Sequence, residues 1–509
     1  MLTRIRPLGR NFTGKIQLLC KSRFTNNLFH EALSNFSSES YGNLAHEDSG
    51  GFTTGNEQDL KNPDRDPKLD DDAIKIQAIL KLKSEKSIEE IGQSVSEISV
   101  CFSEDLVLNV LKRHRSDWKA SYKFFRWVCL TKFPDGYRPG TGVYNVMLDI
   151  LGRMHQFDKV HHMVDEMSKR KILINERTYG IVVNRYAAAH KVEDAIQLFY
   201  KRKEFGLELD LIAFQTLLLS LCRYKHVEAA EFLFHNKNNE FQNHIKTWNI
   251  ILNGWCVLGN LREAKRFWND IVTKSKCKPD KFTYGIFINS LSKAGKISTA
   301  VKLFQAMWNK GCEPDVAICN TIIDGLCFKK RIPEAIEIIR EMNERDCQPD
   351  VATYNSLIKH LCKIKRMEKV YELLDEMEKK GGEIMPNART YGYLLNSAGN
   401  PEEVYEILDR MERKKCKLDG DGYNMLLRLF MEWGVDERVQ AVWKEMEKAG
   451  VGPDKRSYTV MIHGLFDKGR LKDAMSYVQE MKSKGIFPEP RTKLLVDAMK
   501  IKLKAKDLS

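Results

Sequence analysis

An all-α solenoid is the fold class this sequence predicts, and three observations carry it. A segment of about 35 residues, read best at Val316–Asp350, recurs along most of the 509-residue chain. Each copy places apolar residues at helical spacing in two stretches separated by a break. Many copies close on the same stop, Pro-Asp, at Pro279-Asp280, Pro314-Asp315, Pro349-Asp350 and Pro453-Asp454. One pair of short helices cannot bury its apolar faces alone, so the copies must stack on one another.

In Val316–Asp350 the first helix puts Ile318, Ile322, Leu326 and Cys327 on roughly one stripe. Lys329–Pro333 interrupts the pattern, and Pro333 suits the first turn of a second helix. That helix turns Ala335, Ile338, Ile339 and Met342 inward, with Glu334, Glu337, Arg340 and Glu341 outward, until Pro349 stops it. Aligning the copies on an aromatic-then-polar pair gives starts at Thr141, Glu176, Leu211, Ile245, Lys281, Val316, Val351, Ala388, Gly420 and Lys455, with the last copy ending at Glu489. Leu211–His244, Ile245–Asp280 and Val351–Asn387 depart slightly from 35 residues, and Ala388–Asp419 is short, its inter-helix turn clipped at Gly399-Asn400-Pro401.

The residues pattern TYN…LI…G(L)C(K)…EA…EM…PD resembles the pentatricopeptide repeat family, in its plain P-type form, over Thr141–Glu489 in ten units. A tetratricopeptide solenoid is the near competitor, but it lacks the closing Pro-Asp ahead of an aromatic-Asn pair. The resemblance implies a right-handed superhelical solenoid of plant organellar type that binds RNA.

Taken in order, residues 1–40 form an Arg-rich opening. Arg4, Arg6, Arg10, Lys15, Lys21 and Arg23 precede the first acidic residue, Glu31, and serines follow at Ser34, Ser37, Ser38 and Ser40. That composition predicts a mitochondrial transit peptide, with a plastid address as the alternative. Residues 41–72, rich in Gly, Asp and Asn, are expected to be a disordered linker. Residues 73–140 predict a helical N-terminal cap. Its first part is periodic through Ile74, Ile76, Ile79, Leu80, Ile88 and Ile91, and a worn repeat follows through Leu106, Val107, Val110 and Leu111. Residues 490–509 read as a capping helix and a basic tail. No run of eighteen apolar residues occurs, so no membrane insertion is expected.

The formal net charge of +13 favours a polyanionic partner, although targeting residues and solvated helix faces contribute to it. Of twelve cysteines, Cys222, Cys256, Cys327 and Cys362 share one place late in the first helix, and Cys277, Cys312 and Cys347 share another before the terminal turn. No C-x-x-C spacing exists, so packing residues in a reducing compartment explain them better than metal ligands or disulfides. Met167, Met307, Met342, Met377, Met446 and Met481 recur at one position of the second helix and read as core. No cofactor is expected.

Function must reside in positions that vary while the scaffold repeats, and stacked repeats can read one base each with two or three side chains. The family resemblance assigns this to the polar residue after the aromatic and to the last residue of the unit. The pairs are Asn145 with Asn175, Gly180 with Asp210, Gln215 with His244, Asn249 with Asp280, and Gly285 with Asp315. Next come Asn320 with Asp350, Asn355 with Asn387, Gly392 with Asp419, Asn424 with Asp454, and Thr459 with Glu489. Carried over from the family, Asn-Asp implies U and Asn-Asn a pyrimidine, which gives 5′-Y-n-n-U-n-U-Y-n-U-n-3′ with RNA parallel to the chain. The glycine units would only space the strand, and Thr459 with Glu489 departs from the Thr-Asp pair implied for G. The competing reading of these asparagines is that they cap the first helix. Arg153, Arg223, Lys293 and Lys363 share one position of that helix and are candidate phosphate contacts.

An enzyme is not expected. Catalytic members of the family carry a further domain after the repeats, and neither an H-x-E…C-x-x-C deaminase signature nor a carboxylate-rich nuclease segment is present. The expected partner is single-stranded organellar RNA, held by a monomer and joined by RNA-processing or ribosomal proteins. Transcript stabilisation, processing, splicing or translation would then be served by occupancy. A protein-interaction scaffold in an organellar complex such as the mitochondrial ribosome is the competing class.

Overall fold

The structure is a computed structural model that describes residues 67–82, 86–98, 100–134, 136–237, 241, 244–345 and 347–507. The expected transit peptide and most of the expected linker lie outside the described residues. Among the described residues every regular element is a helix. Two compact units divide the chain, Met1–Lys278 and Pro279–Ser509.

In the first unit the helices are α1 (Pro67–Leu82), α2 (Ile88–Ser96), α3 (Glu104–Arg113), α4 (Trp118–Leu130), α5 (Thr141–Arg153) and α6 (Phe157–Lys169). They continue with α7 (Glu176–Ala188), α8 (Val192–Tyr200), α9 (Leu211–Arg223), α10 (Val227–Lys237), α11 (Ile245–Val257) and α12 (Leu261–Thr273). The second unit begins with α13 (Lys281–Lys293), α14 (Ile297–Asn309), α15 (Val316–Phe328), α16 (Ile332–Glu344), α17 (Val351–Lys363) and α18 (Met367–Lys380). It ends with α19 (Ala388–Ser397), α20 (Pro401–Arg413), α21 (Gly420–Trp433), α22 (Asp436–Lys448), α23 (Lys455–Asp467), α24 (Leu471–Ser483) and α25 (Pro490–Asp507).

Within each unit the odd-numbered helices pack side by side in chain order, from α1 to α11 and from α13 to α25. In the second unit each odd helix up to α23 also packs on the even helix that follows it. This is the packing of a solenoid, in which an element touches its neighbours in sequence rather than a central core. The all-α solenoid expected from the period is therefore the observed class.

The apolar stripes explain the packing. Ile318, Ile322 and Leu326 of α15 are buried, as are Ala335, Ile338, Ile339 and Met342 of α16. The recurring methionines Met167, Met307, Met342, Met377, Met446 and Met481 are all fully buried, and so are Ala195, Ala230, Ala264, Ala300, Ala335 and Ala474. Gly325 lets α15 approach its neighbours: a Cβ there would lie 2.5 Å from Ile297 Cδ1 and 2.6 Å from Ser292 Oγ. The turn between paired helices needs one left-handed residue, supplied by Gly295 (φ +71°) but also by Lys330 (φ +60°) and Lys365 (φ +57°).

At the N-terminal end α1 starts at Pro67, so the boundary placed at Ala73 falls inside a helix. Pro67 occupies the first helical position and Asp70 the first turn, where fixed φ and negative charge both favour a start. Ile76, Leu80 and Ile91 are fully buried, whereas Ile74 is 51% exposed and does not belong to the stripe. Helix α5 lacks a side-chain cap at Gly140. Glu104 of α3 replaces it, accepting from the N–H groups of Gly140 (3.1 Å) and Val143 (3.3 Å). Among the described residues no helix is long and apolar enough to cross a membrane.

Candidate nucleic-acid interface

The first four N–H groups of an α-helix have no partner inside it, and a side-chain oxygen just before the helix can satisfy one. Here the last residue of nine of the ten units does this for the helix that follows. Asn175, Asp210, Asp315, Asp350, Asn387, Asp419 and Asp454 each accept the N–H three residues on, at 2.7–3.0 Å. Asp280 caps α13 in the same way, at 2.8 Å from Thr283 N. His244 caps α11 through Nδ1, which accepts from Lys246 N at 3.2 Å. Capping therefore belongs to the terminal residues. The alternative that assigned it to the asparagines after the aromatic is corrected, because those lie at the fifth helical residue, inside the first turn and a half.

At that fifth position Asn145, Asn355 and Asn424 are buried, and the Oδ1 of each has no hydrogen-bond partner. Asn320 donates from Nδ2 to Asp350 Oδ1 at 3.2 Å, and Asn424 donates to Asp454 Oδ1 at 3.3 Å. Residues thirty apart in sequence are thus brought together as an amide against a carboxylate. Burial alone would raise the Asp350 carboxyl, but hydrogen bonds from Thr353 and Asn320 outweigh it and hold the group below the usual carboxylate range. Asp454 is lowered in the same way against its own burial, by Ser457 and Asn424. Both are anionic at neutral pH.

The remaining pairs differ. Asn145 with Asn175 and Asn355 with Asn387 make no direct hydrogen bond among the described residues. Asn249 is buried in α11 of the first unit, and Asp280 opens the second. The Thr459 hydroxyl turns back to Lys455 O at 2.8 Å, while Glu489 pairs with Lys455 Nζ at 3.5 Å, so Thr459 and Glu489 are not joined. Gln215 Nε2 donates to Thr247 Oγ1 at 3.0 Å. Gly180, Gly285 and Gly392 bring no side chain; at Gly392 nothing lies within 4 Å of where a Cβ would be.

The four basic candidates end α5, α9, α13 and α17. Lys293 and Lys363 are exposed and form no ion pair among the described residues. Arg153 is engaged instead: its Nε donates to Asp149 Oδ2 at 2.9 Å, and Arg185 donates to the other oxygen at 2.7 Å. Among the described residues no group of His, Cys, Asp and Glu is placed to hold a metal ion. The late-helix cysteines are packing residues, with burial pushing the Cys327 thiol up to about 12 and raising Cys222 and Cys362.

The repeat itself is matched in known proteins. The PPR repeat family matches residues 139–188, 243–293, 314–363 and 349–398; the PPR repeat matches 282–312, 393–416 and 456–486; the pentatricopeptide repeat domain matches 406–458. A putative pentatricopeptide repeat-containing protein of Arabidopsis thaliana is 52% identical over 451 residues, 87% of this chain and 86% of that protein. The chain belongs to the pentatricopeptide repeat family. Two further Arabidopsis thaliana members, both named mitochondrial, are 35% identical over 81% of this chain and 71% of that protein, and 42% identical over 77% and 88%. Among solved structures, a pentatricopeptide repeat protein from maize aligns with TM-score 0.48 at 22% identity, covering 83% of this chain and 60% of that one. The maize protein in complex with an 18-nucleotide RNA element aligns with TM-score 0.40 at 20% identity, covering 83% and 65%.

One group of polar residues in this pentatricopeptide repeat array was missed in the sequence, the hydroxyl-bearing third residue of several odd helices. Thr353 Oγ1 lies 2.6 Å from Asn320 Oδ1 and 2.9 Å from Asp350 Oδ1, so it belongs to the same cluster as the pair. The signal that would have found it is the capping box, Asp or Asn followed three residues later by a hydroxyl, as at Asp350-x-x-Thr353 and Asn387-x-x-Thr390.

Proposed function

We propose that this P-type pentatricopeptide repeat protein binds single-stranded RNA in mitochondria, one base per repeat, and acts by occupying the transcript. The supporting observation is the pairing of fifth-position amides with carboxylates thirty residues on, Asn320 with Asp350 at 3.2 Å and Asn424 with Asp454 at 3.3 Å. An amide held beside a capping carboxylate has the donor and acceptor chemistry to meet the Watson–Crick edge of an unpaired base. The exposed Lys293 and Lys363 would add a salt-dependent phosphate contribution. The mitochondrial reading draws on the Arg-rich opening and on the relatives named mitochondrial.

The test is electrophoretic binding of the full chain to a ten-nucleotide RNA carrying Y-n-n-U-n-U-Y-n-U-n, against the same RNA with each U replaced by A. Preferential binding to the first is the expected outcome. Equal, salt-labile binding to both would reduce the protein to a basic surface, and no binding at low salt would favour a protein-interaction scaffold. The first forty residues fused to a fluorescent protein should direct it to mitochondria; delivery to plastids would overturn that assignment.

A further inference from the structure

The third residue of each odd helix follows the residue read one repeat earlier. Wherever the fifth position is polar, the next odd helix has a hydroxyl third: Thr178, Thr247, Thr283, Thr353, Thr390, Ser457 or Thr492. Wherever it is glycine, at Gly180, Gly285 and Gly392, the corresponding residue is Ala213, Ile318 or Gly422. The cap bond itself is kept without the hydroxyl. Asp210, Asp315 and Asp419 accept the N–H of Ala213, Ile318 and Gly422 at 2.7, 2.9 and 2.8 Å, as short as the 2.8 Å from Thr353 N to Asp350.

We propose that the Thr353 hydroxyl is a positioning residue, which fixes the orientation of the Asn320 amide and so decides which edge the base meets. The inference rests on the base-reading function proposed above. The Thr353 hydroxyl accepts the N–H of Asp350 at 3.2 Å and has one hydrogen to give. Donated to Asn320 Oδ1, it holds that oxygen inward while Nδ2 faces Asp350 Oδ1, leaving the second Nδ2 hydrogen for a ligand. A flipped amide would set its oxygen against the anionic Asp350. Asn320 therefore presents a donor, suited to a base carbonyl. At Gln215 the pattern is reversed: Nε2 donates to Thr247 Oγ1, and Oε1 has no intramolecular partner among the described residues. That repeat presents an acceptor and takes a base with an exocyclic amino group, adenine, cytosine or guanine, rather than uracil.

The test compares the full chain with Thr353→Val and Thr353→Ser, in competition between RNAs that differ only at the nucleotide facing Asn320. Preference for U over A there should fall about tenfold in Thr353→Val, persist in Thr353→Ser, and be unchanged at the nucleotide facing Asn424. A thermal melt confirms that each variant is folded. Equal selectivity in Thr353→Val and the unaltered chain would overturn the positioning role and leave base reading intact. No selectivity at that nucleotide in the unaltered chain would overturn base reading and this role with it. For Gln215, the nucleotide facing it should favour A, C or G over U, and a preference for U would contradict the reversed amide.

Discussion

Val316–Asp350 and Ala388–Asp419 lie in the same unit and begin their first helices alike, yet only one carries a side chain at the proposed reading position. Helix α15 starts behind Asp315 and α19 behind Asn387, each cap accepting the N–H three residues on. In α15 the fifth residue is Asn320, bonded to Asp350; in α19 it is Gly392, with open space around it. Helix α19 also stops at Ser397 after ten residues, where α15 runs for thirteen. The first turn and a half, which holds cap and reading position, is kept in full, and the loss falls at the far end. Scaffold and proposed recognition are separable: both repeats keep the cap, and only one carries the amide.

Truncating the shared scaffold should hurt both repeats equally and most severely. Ile322→Ala and Leu394→Ala each remove a fully buried side chain, and each should cost about 2–5 kcal/mol in denaturant unfolding. A much smaller loss at Leu394 would mean that the short repeat is not packed like the long one.

The recognition half of the comparison breaks next. Asn320→Ala should weaken binding to RNA with U at its nucleotide roughly ten- to a hundredfold, with little change in melting temperature. Gly392→Ala should leave binding unchanged and stabilise α19 by about 0.8–1 kcal/mol, since alanine is the better helix former and no atom obstructs its Cβ. Equal binding losses from the two would erase the distinction between reading and spacing repeats.

The caps sharpen it further. Asp350→Ala and Asp419→Ala should each cost about 1 kcal/mol of stability through a lost N-cap, measured by thermal melts. Only Asp350→Ala should also relax selectivity for U, measured by competition, because only Asp350 touches a reading amide.

The smallest effect is on pH. The Asp350 and Asp454 carboxyls are held below their ordinary range, so they contribute stability above the unfolded-state pKa near 4. That contribution is lost as pH falls through the lower folded-state values. Melting temperature should decline below about pH 4 and less steeply in the Asp350→Asn, Asp454→Asn double variant. An unchanged decline in the double variant would show that other carboxylates dominate.

Several features were legible in the residues because they repeat. The apolar stripes of Val316–Asp350 announced paired helices, and their recurrence announced stacking, since a short helix pair has no other way to bury them. The buried methionine and alanine columns followed from the same register. Arg153 was not legible as a paired residue: it looks free in sequence, but Asp149 binds it and is bound in turn by Arg185 from the adjacent helix. The Thr353 hydroxyl escaped notice because its partner, Asn320, sits thirty-three residues upstream.

By itself the sequence determined the helical class, the period and the list of polar side chains that vary from copy to copy. These depend on local propensity and on periodicity, which are written residue by residue. Only the tertiary structure decided which polar groups are engaged with one another within the fold. That depends on hydrogen-bond distances between residues about one repeat apart, where a shift of half an ångström joins or separates them.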